Sequence, residues 1–140
     1  MLKYFSSIWD YRAFLKSHKS SLDSSQHLRL SSKSFLSASH KLKKLDSSLV
    51  QDILLPLYSS TGRPAIDPAV FIRSFVLMQH LGYLSLHKWC DDLASDSLLQ
   101  YLVGSFSPPY VASHYDFIVR LTGVDSHMNE LFPKAHFKKI

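Results

Sequence analysis

A segment that is apolar on nearly every side constrains the fold of this chain more than any other feature. It reads AVFIRSFVLMQHL, covers residues 69–81, follows Asp67 and Pro68, and precedes Gly82. The Asp carboxylate can accept hydrogen bonds from the free amides of a first helical turn, and Pro suits the first helical position because it has no amide to leave unpaired. Gly82 can end the helix in the left-handed conformation. Because a helix that is apolar all round must be buried, we expect this segment to form the centre of the domain.

Shorter helices are predicted on the N-terminal side of this centre. Apolar residues recur at helical spacing near the N-terminus and again over residues 45–57. Between them, residues 17–39 interrupt their few apolar residues with serines, which predicts a linker or a weak helix. No segment alternates as a half-buried strand does. We therefore predict an all-α protein, a compact bundle of short helices.

The C-terminal half carries further start and stop signals. Ser85 is placed to cap a helix, and Leu84 and Trp89 have the spacing of a hydrophobic staple around that cap. A short helix over residues 98–103 is predicted to end at Gly104.

A last helix is predicted after the stiff connection formed by Pro108 and Pro109. Ser113 is its predicted N-cap, and Asp116 is placed to complete a capping box. The residues expected on its inward face and at its end are Phe117, Ile118, Leu121 and Gly123.

The composition fits one domain with a basic first part. The chain has 140 residues, of which 46% are hydrophobic, enough for one modest core. Its formal net charge is +5, and residues 1–60 hold nine Lys or Arg against four Asp, whereas residues 61–140 hold seven charges of each sign. A basic excess favours acidic partners such as nucleic acid or an anionic membrane surface.

The sequence lacks the features of secreted and membrane proteins. No stretch reaches the roughly 18 apolar residues of a membrane span, and the N-terminus lacks the apolar core and cleavage site of a secretory signal. The single cysteine, Cys90, cannot form an internal disulfide. We expect a cytoplasmic protein without a membrane partner.

Several motifs occur in an order that resembles a known family. Gly-Arg-Pro and Asp-Pro precede the apolar helix, Leu-Gly-Tyr-Leu-Ser ends it, and Asp-Asp-Leu and then Tyr-Asp-Phe-Ile with Arg-Leu follow. From about Asp46 to Leu121 the chain resembles the N-terminal domain of insertion-sequence transposases of the DDE group, the transposase InsH-like N-terminal domain. Residues 1–45 show no such resemblance.

The resemblance implies a helix-turn-helix-like C-terminal part that recognises the terminal inverted repeats of a mobile element in double-stranded DNA. In that family, catalysis belongs to a later ribonuclease-H-like domain, where two Asp and one Glu hold paired metal ions. The chain ends at Ile140, before such a domain, so we expect a truncated transposase that is not an enzyme and uses no cofactor. We expect it to associate with the nucleoid.

Three regions are expected on this basis. Residues 1–45 form a Ser/Lys-rich N-terminal segment, a helix plus a linker. Residues 46–123 form the helical DNA-binding domain, and residues 124–140 form a basic tail that starts a missing region.

Other polar residues have a simpler explanation than a catalytic or metal site. Helix caps and solvated helix faces explain the acidic residues Asp91, Asp92, Asp96, Asp116 and Glu130. The ligand types of a zinc site are present in His80, His87, Cys90 and Asp91, but their spacing does not form a paired ligand framework. We expect no metal site.

Basic residues outside the last helix are candidates for contact with DNA. Lys41, Lys43 and Lys44 form the densest basic run, for which two interpretations stay open: a solubilising helix face, or contact with phosphates. Arg63 is either a positioned phosphate contact or a cap for a neighbouring helix.

The last helix is the predicted element for reading DNA sequence. With its apolar side buried, it is expected to present His114, Tyr115 and Arg120 outward. His and Tyr can contact base edges while phosphate contacts come from other residues.

Two functions are compatible with these features. The first is a DNA-binding module of a transposase. The second is a module for self-association or for assembly with full-length transposase, which would regulate that enzyme through mixed assemblies. Salt separates them, because phosphate binding weakens as salt rises and an apolar interface does not.

Overall fold

Helices with strong start signals account for almost all of the structure. The computed structural model describes residues 7–45 and 67–122. Within these ranges the chain forms seven α-helices, one short 3₁₀ turn at Lys19–Ser21 and no strand, which confirms the all-α prediction. The helices are α1 Ile8–His18, α2 Ser24–Leu30, α3 Lys33–Lys43, α4 Pro68–His80, α5 Leu86–Ser95, α6 Ser97–Val103 and α7 Val111–Thr122.

Some predictions fall on residues outside these ranges. They concern the helix expected over residues 46–57, the side chain of Arg63, the stop at Gly123 and the basic tail over residues 124–140.

The Ser-rich segment between residues 17 and 39 is helical, so the second of its two interpretations is the one observed. Asp23 and Gln26 form a capping box at the start of α2, with Asp23 Oδ1 accepting from the amide of Gln26 at 2.8 Å. In α3, Ala38 and Leu42 are almost fully buried. Burial of these two side chains outweighs the weak helix propensity of the serines.

Helix α4 is the buried centre that its apolar sequence predicts. Asp67 Oδ1 accepts a hydrogen bond from the amide of Ala69 at 3.0 Å, and Pro68 occupies the first helical position. The helix packs against α3, α6 and α7. Gly82 follows the helix end with a φ of 81°, as predicted for a left-handed stop.

The cap of α5 is confirmed, but its predicted staple is wrong. Ser85 Oγ accepts from the amide of Lys88 at 3.2 Å. Leu84 is 100% exposed, and Trp89 instead packs against Tyr83, with ring centroids 5.0 Å apart. Tyr83 therefore occupies the position beside the indole that the staple predicted for Leu84.

Helix α7 begins earlier than predicted. It starts at Val111, two residues after Pro109, so the prediction of Ser113 as N-cap is wrong. The carbonyl of Tyr110 accepts from the amide of His114 at 3.1 Å and thus opens the helical hydrogen-bond ladder. The inward positions are confirmed for Phe117 and Ile118, both of which are buried.

Two tyrosines join α1 to α6. The hydroxyl of Tyr11 donates to the carbonyl of Leu102 at 2.5 Å, and the hydroxyl of Tyr101 donates to the carbonyl of Leu15 at 2.9 Å. Burial raises the pKa of Tyr11 far above its ordinary value, so its hydroxyl stays a donor at any physiological pH. One hydrophobic cluster therefore includes residues on both sides of residue 45.

Arg73 of α4 completes this junction. Its Nε donates to the carbonyl of Val103 at 2.7 Å, and its guanidinium lies 4.3 Å from the centroid of the Tyr11 ring. The positive charge lies at the C-terminal end of α6, where the helix dipole favours a cation. Gly104 follows with a φ of 87°, as predicted for the end of this helix.

Candidate nucleic-acid interface

The outer side of α3 is a line of basic and small polar side chains. We call this line the α3 face, and it consists of Lys33, Ser37, His40, Lys41 and Lys44, all exposed. Neighbours along it are three or four residues apart, which places them on one side of a helix. The helix contains no acidic residue. Its sequence therefore presents several cations to solvent without a local counter-charge.

Apolar residues on the opposite side hold α3 in place. Ala38 and Leu42 belong to the hydrophobic core, and Phe35 packs against it. The helix contacts α1, α2 and α4 through this side. Because the buried and basic residues alternate at helical spacing, burial of one set directs the other toward solvent.

The C-terminal end of the α3 face adjoins α1. Arg12 of α1 donates to the carbonyl of Lys43 through Nε at 3.1 Å and through Nη2 at 2.8 Å. Lys43 and Lys44 are exposed at the same end. Cations at this end also interact favourably with the dipole of α3, so the helix itself explains part of their placement.

The outer side of α7 is different in character. Tyr115, Asp116, Val119 and Arg120 are exposed, so this side carries one charge of each sign. Tyr115 lies near His87 of α5, with ring centroids 6.0 Å apart. The outward orientation predicted for Tyr115 and Arg120 is confirmed, and their predicted contact with DNA stays a prediction.

The predicted outward orientation of His114 is wrong. Its side chain is 0% exposed and lies edge-on to the rings of Phe71 and Phe75. Its Nε2 is 2.7 Å from Ser74 Oγ, and its Nδ1 is 3.0 Å from the carbonyl of Tyr110. A side chain in this position cannot reach DNA, so His114 is removed from the candidate interface.

The buried histidine belongs to a fully satisfied hydrogen-bond chain. Trp89 Nε1 donates to Ser74 Oγ at 2.9 Å, and Ser74 can donate in turn to Nε2 of His114. The proton on Nδ1 is then directed to the carbonyl of Tyr110. This arrangement requires the neutral imidazole, and burial lowers the pKa of His114 below its ordinary value in agreement with it.

The side chains considered for zinc do not come together in the structure. Cys90 is buried 3.5 Å from Nδ1 of His114, whereas His87 and Asp91 are exposed. Burial raises the pKa of the Cys90 thiol to about 11, which disfavours the thiolate form that binds metals. Among residues 7–45 and 67–122, His, Cys, Asp and Glu side chains form no group of three suited to a metal ion.

Asp92 of α5 and Asp96, the residue before α6, have structural partners. Asp92 accepts from the hydroxyl of Tyr83 at 2.5 Å and from Lys88 Nζ at 3.1 Å, and these hydrogen bonds lower the pKa of its carboxyl. Asp96 caps α6 and forms an ion pair with Arg29 of α2 at 2.7 Å. Neither carboxylate is placed as a metal ligand.

Charge is therefore divided unevenly between the two described parts of the chain. Residues 7–45 contain eight Lys or Arg against two Asp, whereas residues 67–122 contain three Lys or Arg against five Asp. The basic surface is thus carried mainly by α1 and α3.

None of the helices in these two described parts of the chain has the length and apolar content that crossing a bilayer requires.

Two residues of this surface, Lys33 and Arg12, were not among the predicted contacts. Both are exposed cations, on α3 and on α1. The spacing of Lys33, Ser37, Lys41 and Lys44 carries the signal, because each step is three or four residues. The surrounding serines concealed it by favouring a linker.

Comparisons with known proteins agree with the resemblance and extend it. The family model described as Transposase domain (DUF772) matches residues 29–121. A search among curated proteins and one among solved structures found no match. The matched region begins before Asp46, where the resemblance began, and so includes the whole of α3. Since it covers more than half of the sequence, the chain belongs to this transposase domain family.

Proposed function

We propose that this chain is the DNA-binding module of a transposase and that it recognises the terminal inverted repeats of a mobile element. The observation that carries the proposal is the α3 face, which places exposed cations along one side of a helix that contains no acidic residue. Lysine ammonium groups neutralise backbone phosphates and release counterions from DNA. Such a protein would act on the nucleoid.

The position of Lys33 supports a role beyond helix stability. Lys33 is the first residue of α3, and no acidic residue lies in that turn. The positive end of the helix dipole disfavours a cation there. Lys41 and Lys43, at the other end, are favoured by the dipole. A phosphate at the α3 face would offset the unfavourable placement of Lys33.

We assign the two kinds of contact to different helices. The α3 face supplies phosphate contacts, which fix the position of the protein but carry no sequence information. Tyr115 and Arg120 of α7, both exposed, are the candidates for contacts with base edges. The proposal predicts that these two contributions can be separated by mutation.

The test compares two variants on two DNA duplexes. The triple variant Lys41→Ala, Lys43→Ala, Lys44→Ala should weaken binding equally on an inverted-repeat duplex and a scrambled duplex, and should reduce the salt slope by up to about 3. The variant Tyr115→Ala, Arg120→Ala should mainly reduce the preference for the inverted repeat. Fluorescence anisotropy at several salt concentrations measures both effects.

Lys88→Ala is the matched control for charge. Lys88 is an exposed lysine on α5 that pairs with Asp92 and is not part of the α3 face. Lys88→Ala should leave the affinity for both duplexes almost unchanged. If the parent protein binds neither duplex, the proposed function is wrong. If the Tyr115 and Arg120 variant keeps the full preference, α7 does not read the sequence.

We propose further that the 140-residue chain has no strand-transfer activity of its own. Asp92 and Asp96 are engaged with Tyr83, Lys88 and Arg29, so they are not available as a carboxylate framework for metal ions. Purified protein incubated with Mg²⁺ or Mn²⁺ and DNA carrying the element ends should yield neither nicks nor joined products. Metal-dependent nicking that co-purifies with the protein through successive columns would contradict this.

A second function, self-association or assembly with full-length transposase, is favoured by apolar side chains on α7. Tyr115 and Val119 lie one turn apart, and Val119 is 66% exposed. Neighbouring exposed apolar side chains, unlike single ones, can mark an interface. Light scattering after size exclusion tests it: a dimer that Val119→Lys converts to a monomer would support this function, and a parent protein that is monomeric at all concentrations would exclude self-association.

A further inference from the structure

An exposed tryptophan lies beside the basic end of α3 and has no role in the contacts described so far. Trp9 of α1 is 70% exposed, whereas Trp89, the other tryptophan of the chain, is fully buried. Leaving an indole in water forgoes the hydrophobic free energy that its burial would contribute. A single exposed aromatic residue is ordinary, and the significance of Trp9 comes from the cations beside it.

Arg12 links Trp9 to the last turn of α3. Its guanidinium carbon lies 5.2 Å from the centroid of the Trp9 ring. The same guanidinium donates two hydrogen bonds to the carbonyl of Lys43, at 3.1 and 2.8 Å. The Arg12 guanidinium therefore packs against the indole ring and hydrogen-bonds to the turn that carries Lys41, Lys43 and Lys44. An aromatic ring is thus held next to a cluster of cations.

We infer that Trp9 is a stacking platform for an unpaired base of DNA. A flat aromatic ring beside phosphate-binding cations is the combination by which proteins bind single-stranded nucleic acid. A base inside a duplex is stacked on both sides and cannot offer its face to Trp9, but a base at a frayed or single-stranded end can. The surrounding positive charge favours nucleic acid over an apolar protein partner.

This inference rests on the proposed function and adds the kind of DNA that the basic surface prefers. Lysines of the α3 face would bind the phosphates of any duplex, and Trp9 would add affinity only where a base is unpaired. The two contributions therefore differ in the DNA on which they act.

The experiment uses the full chain and three labelled DNAs of the same sequence. One is a blunt duplex, the second carries a short single-stranded overhang, and the third carries an overhang of equal length built from abasic nucleotides. The abasic overhang keeps its phosphates and lacks only the bases. We expect the parent protein to bind the second DNA more tightly than the first and the third.

Trp9→Ala should remove this preference by reducing affinity for the base-containing overhang at least about fivefold, the usual effect of losing one stacked base. Its affinity for the blunt duplex should stay unchanged. Trp9→Phe should keep part of the preference because it retains an aromatic ring. Tyr110→Ala is the control, since Tyr110 is 75% exposed but lines a cavity with Phe106 and Ser113 rather than with residues of α3.

Tryptophan emission gives a second readout. The overhang should quench emission of the parent protein, and the quenching should be lost in Trp9→Phe because the remaining Trp89 is buried. Circular dichroism confirms that each variant is folded. Equal binding of base-containing and abasic overhangs by the parent, or an unchanged preference in Trp9→Ala, would overturn the inference while leaving duplex binding intact. Failure of the parent to bind any of the DNAs would overturn the proposed function as well.

Discussion

His114 shows how one side chain can be assigned to the wrong side of a helix. It occupies a position on α7 where a polar residue is expected to face water, yet it is buried against Ser74, Phe71 and Phe75. The partner Ser74 lies 40 residues earlier in the chain. A buried polar group requires hydrogen-bond partners, and for His114 the Ser74 hydroxyl and the backbone carbonyl of Tyr110 supply them. Local spacing cannot reveal partners so distant in sequence.

The neutral state of His114 makes the stability of the domain dependent on pH. Burial lowers its pKa in the folded protein, so the unfolded chain binds the proton first as pH falls. The free energy of unfolding should therefore decrease below pH about 6.5, by up to about 1.4 kcal/mol per pH unit until the folded-state pKa is reached.

Urea denaturation of the parent and of His114→Gln measures this effect. The pH range runs from about 7.5 to about 5, which covers about 2.5 units around the ordinary His pKa. The variant lacks the titrating group, so its loss of stability across the range should be smaller. The comparison removes the contribution of the other histidines. Parallel pH profiles for the two proteins would show that protonation of His114 does not limit stability.

Gly104 is the residue at which a side chain should be least tolerated. It has a φ of 87°, and an added Cβ would lie 2.9 Å from Arg73 Nη2 and 3.1 Å from Tyr11 Cδ1. The left-handed conformation alone costs a non-glycine residue about 1–2 kcal/mol. The close approach adds to this cost because Arg73 is buried and bonded to Val103.

We therefore expect Gly104→Ala to lower the free energy of unfolding by more than 2 kcal/mol, about the upper limit of the conformational cost alone. Gly82→Ala is the matched control, since Gly82 has a φ of 81° and nothing within 4 Å of an added Cβ. Gly82→Ala should lower the free energy of unfolding only by the cost of the left-handed conformation, about 1–2 kcal/mol. Equal losses in chemical denaturation would mean that Arg73 moves aside without cost.

At the scale of elements, sequence was informative where the determining interaction is local. Asp67 with Pro68, Ser85, and the two glycines after α4 and α6 act within a turn of their own helix, and the structure places them as predicted. The Ser-rich segment is different, because α3 is stabilised by burial of Ala38 and Leu42 against other helices. The basic outer side of α3 follows from that burial. The sequence indicated only part of it, the run of three lysines.

Helix α3 should show opposite effects on stability and binding at its first residue. Lys33 lies where the helix dipole disfavours a cation, so Lys33→Ala should raise the free energy of unfolding by about 0.3–1 kcal/mol. The same change should weaken binding to any duplex and reduce the salt slope by about 1.

Thermal denaturation and anisotropy on the same protein preparation test both parts. Lys44→Ala is the control at the other end, where loss of the cation should weaken both stability and binding. If Lys33→Ala leaves binding and its salt dependence unchanged, the N-terminal half of the α3 face does not contact DNA.

At the scale of the whole molecule, charge and packing divide the chain differently. Most of the cations precede residue 45, and the acidic residues of α5 and α7 follow it. The hydrophobic core crosses this point, since Tyr11, Leu15 and Leu42 lie in one cluster with Leu77 and Leu102. One hydrophobic core therefore joins α1, which precedes the region that matches the family, to α3 and the later helices.

Deletion of residues 1–28 tests whether α1 is an integral part of this core. The remaining chain would still contain residues 29–121, the whole region that matches the transposase domain family. It would lose Tyr11, Leu15 and Leu22 from the core and leave the hydroxyl of Tyr101 without its acceptor. Losing several buried side chains at about 2–5 kcal/mol each exceeds the margin of a small domain, so we expect the deleted chain to lose its cooperative thermal transition. Tyr11→Phe should cause an intermediate loss of about 1–3 kcal/mol, because it leaves the carbonyl of Leu102 buried without its donor. A deleted chain that melts cooperatively at the parent's midpoint would show that the family domain folds without α1, and that α1 is an appendage.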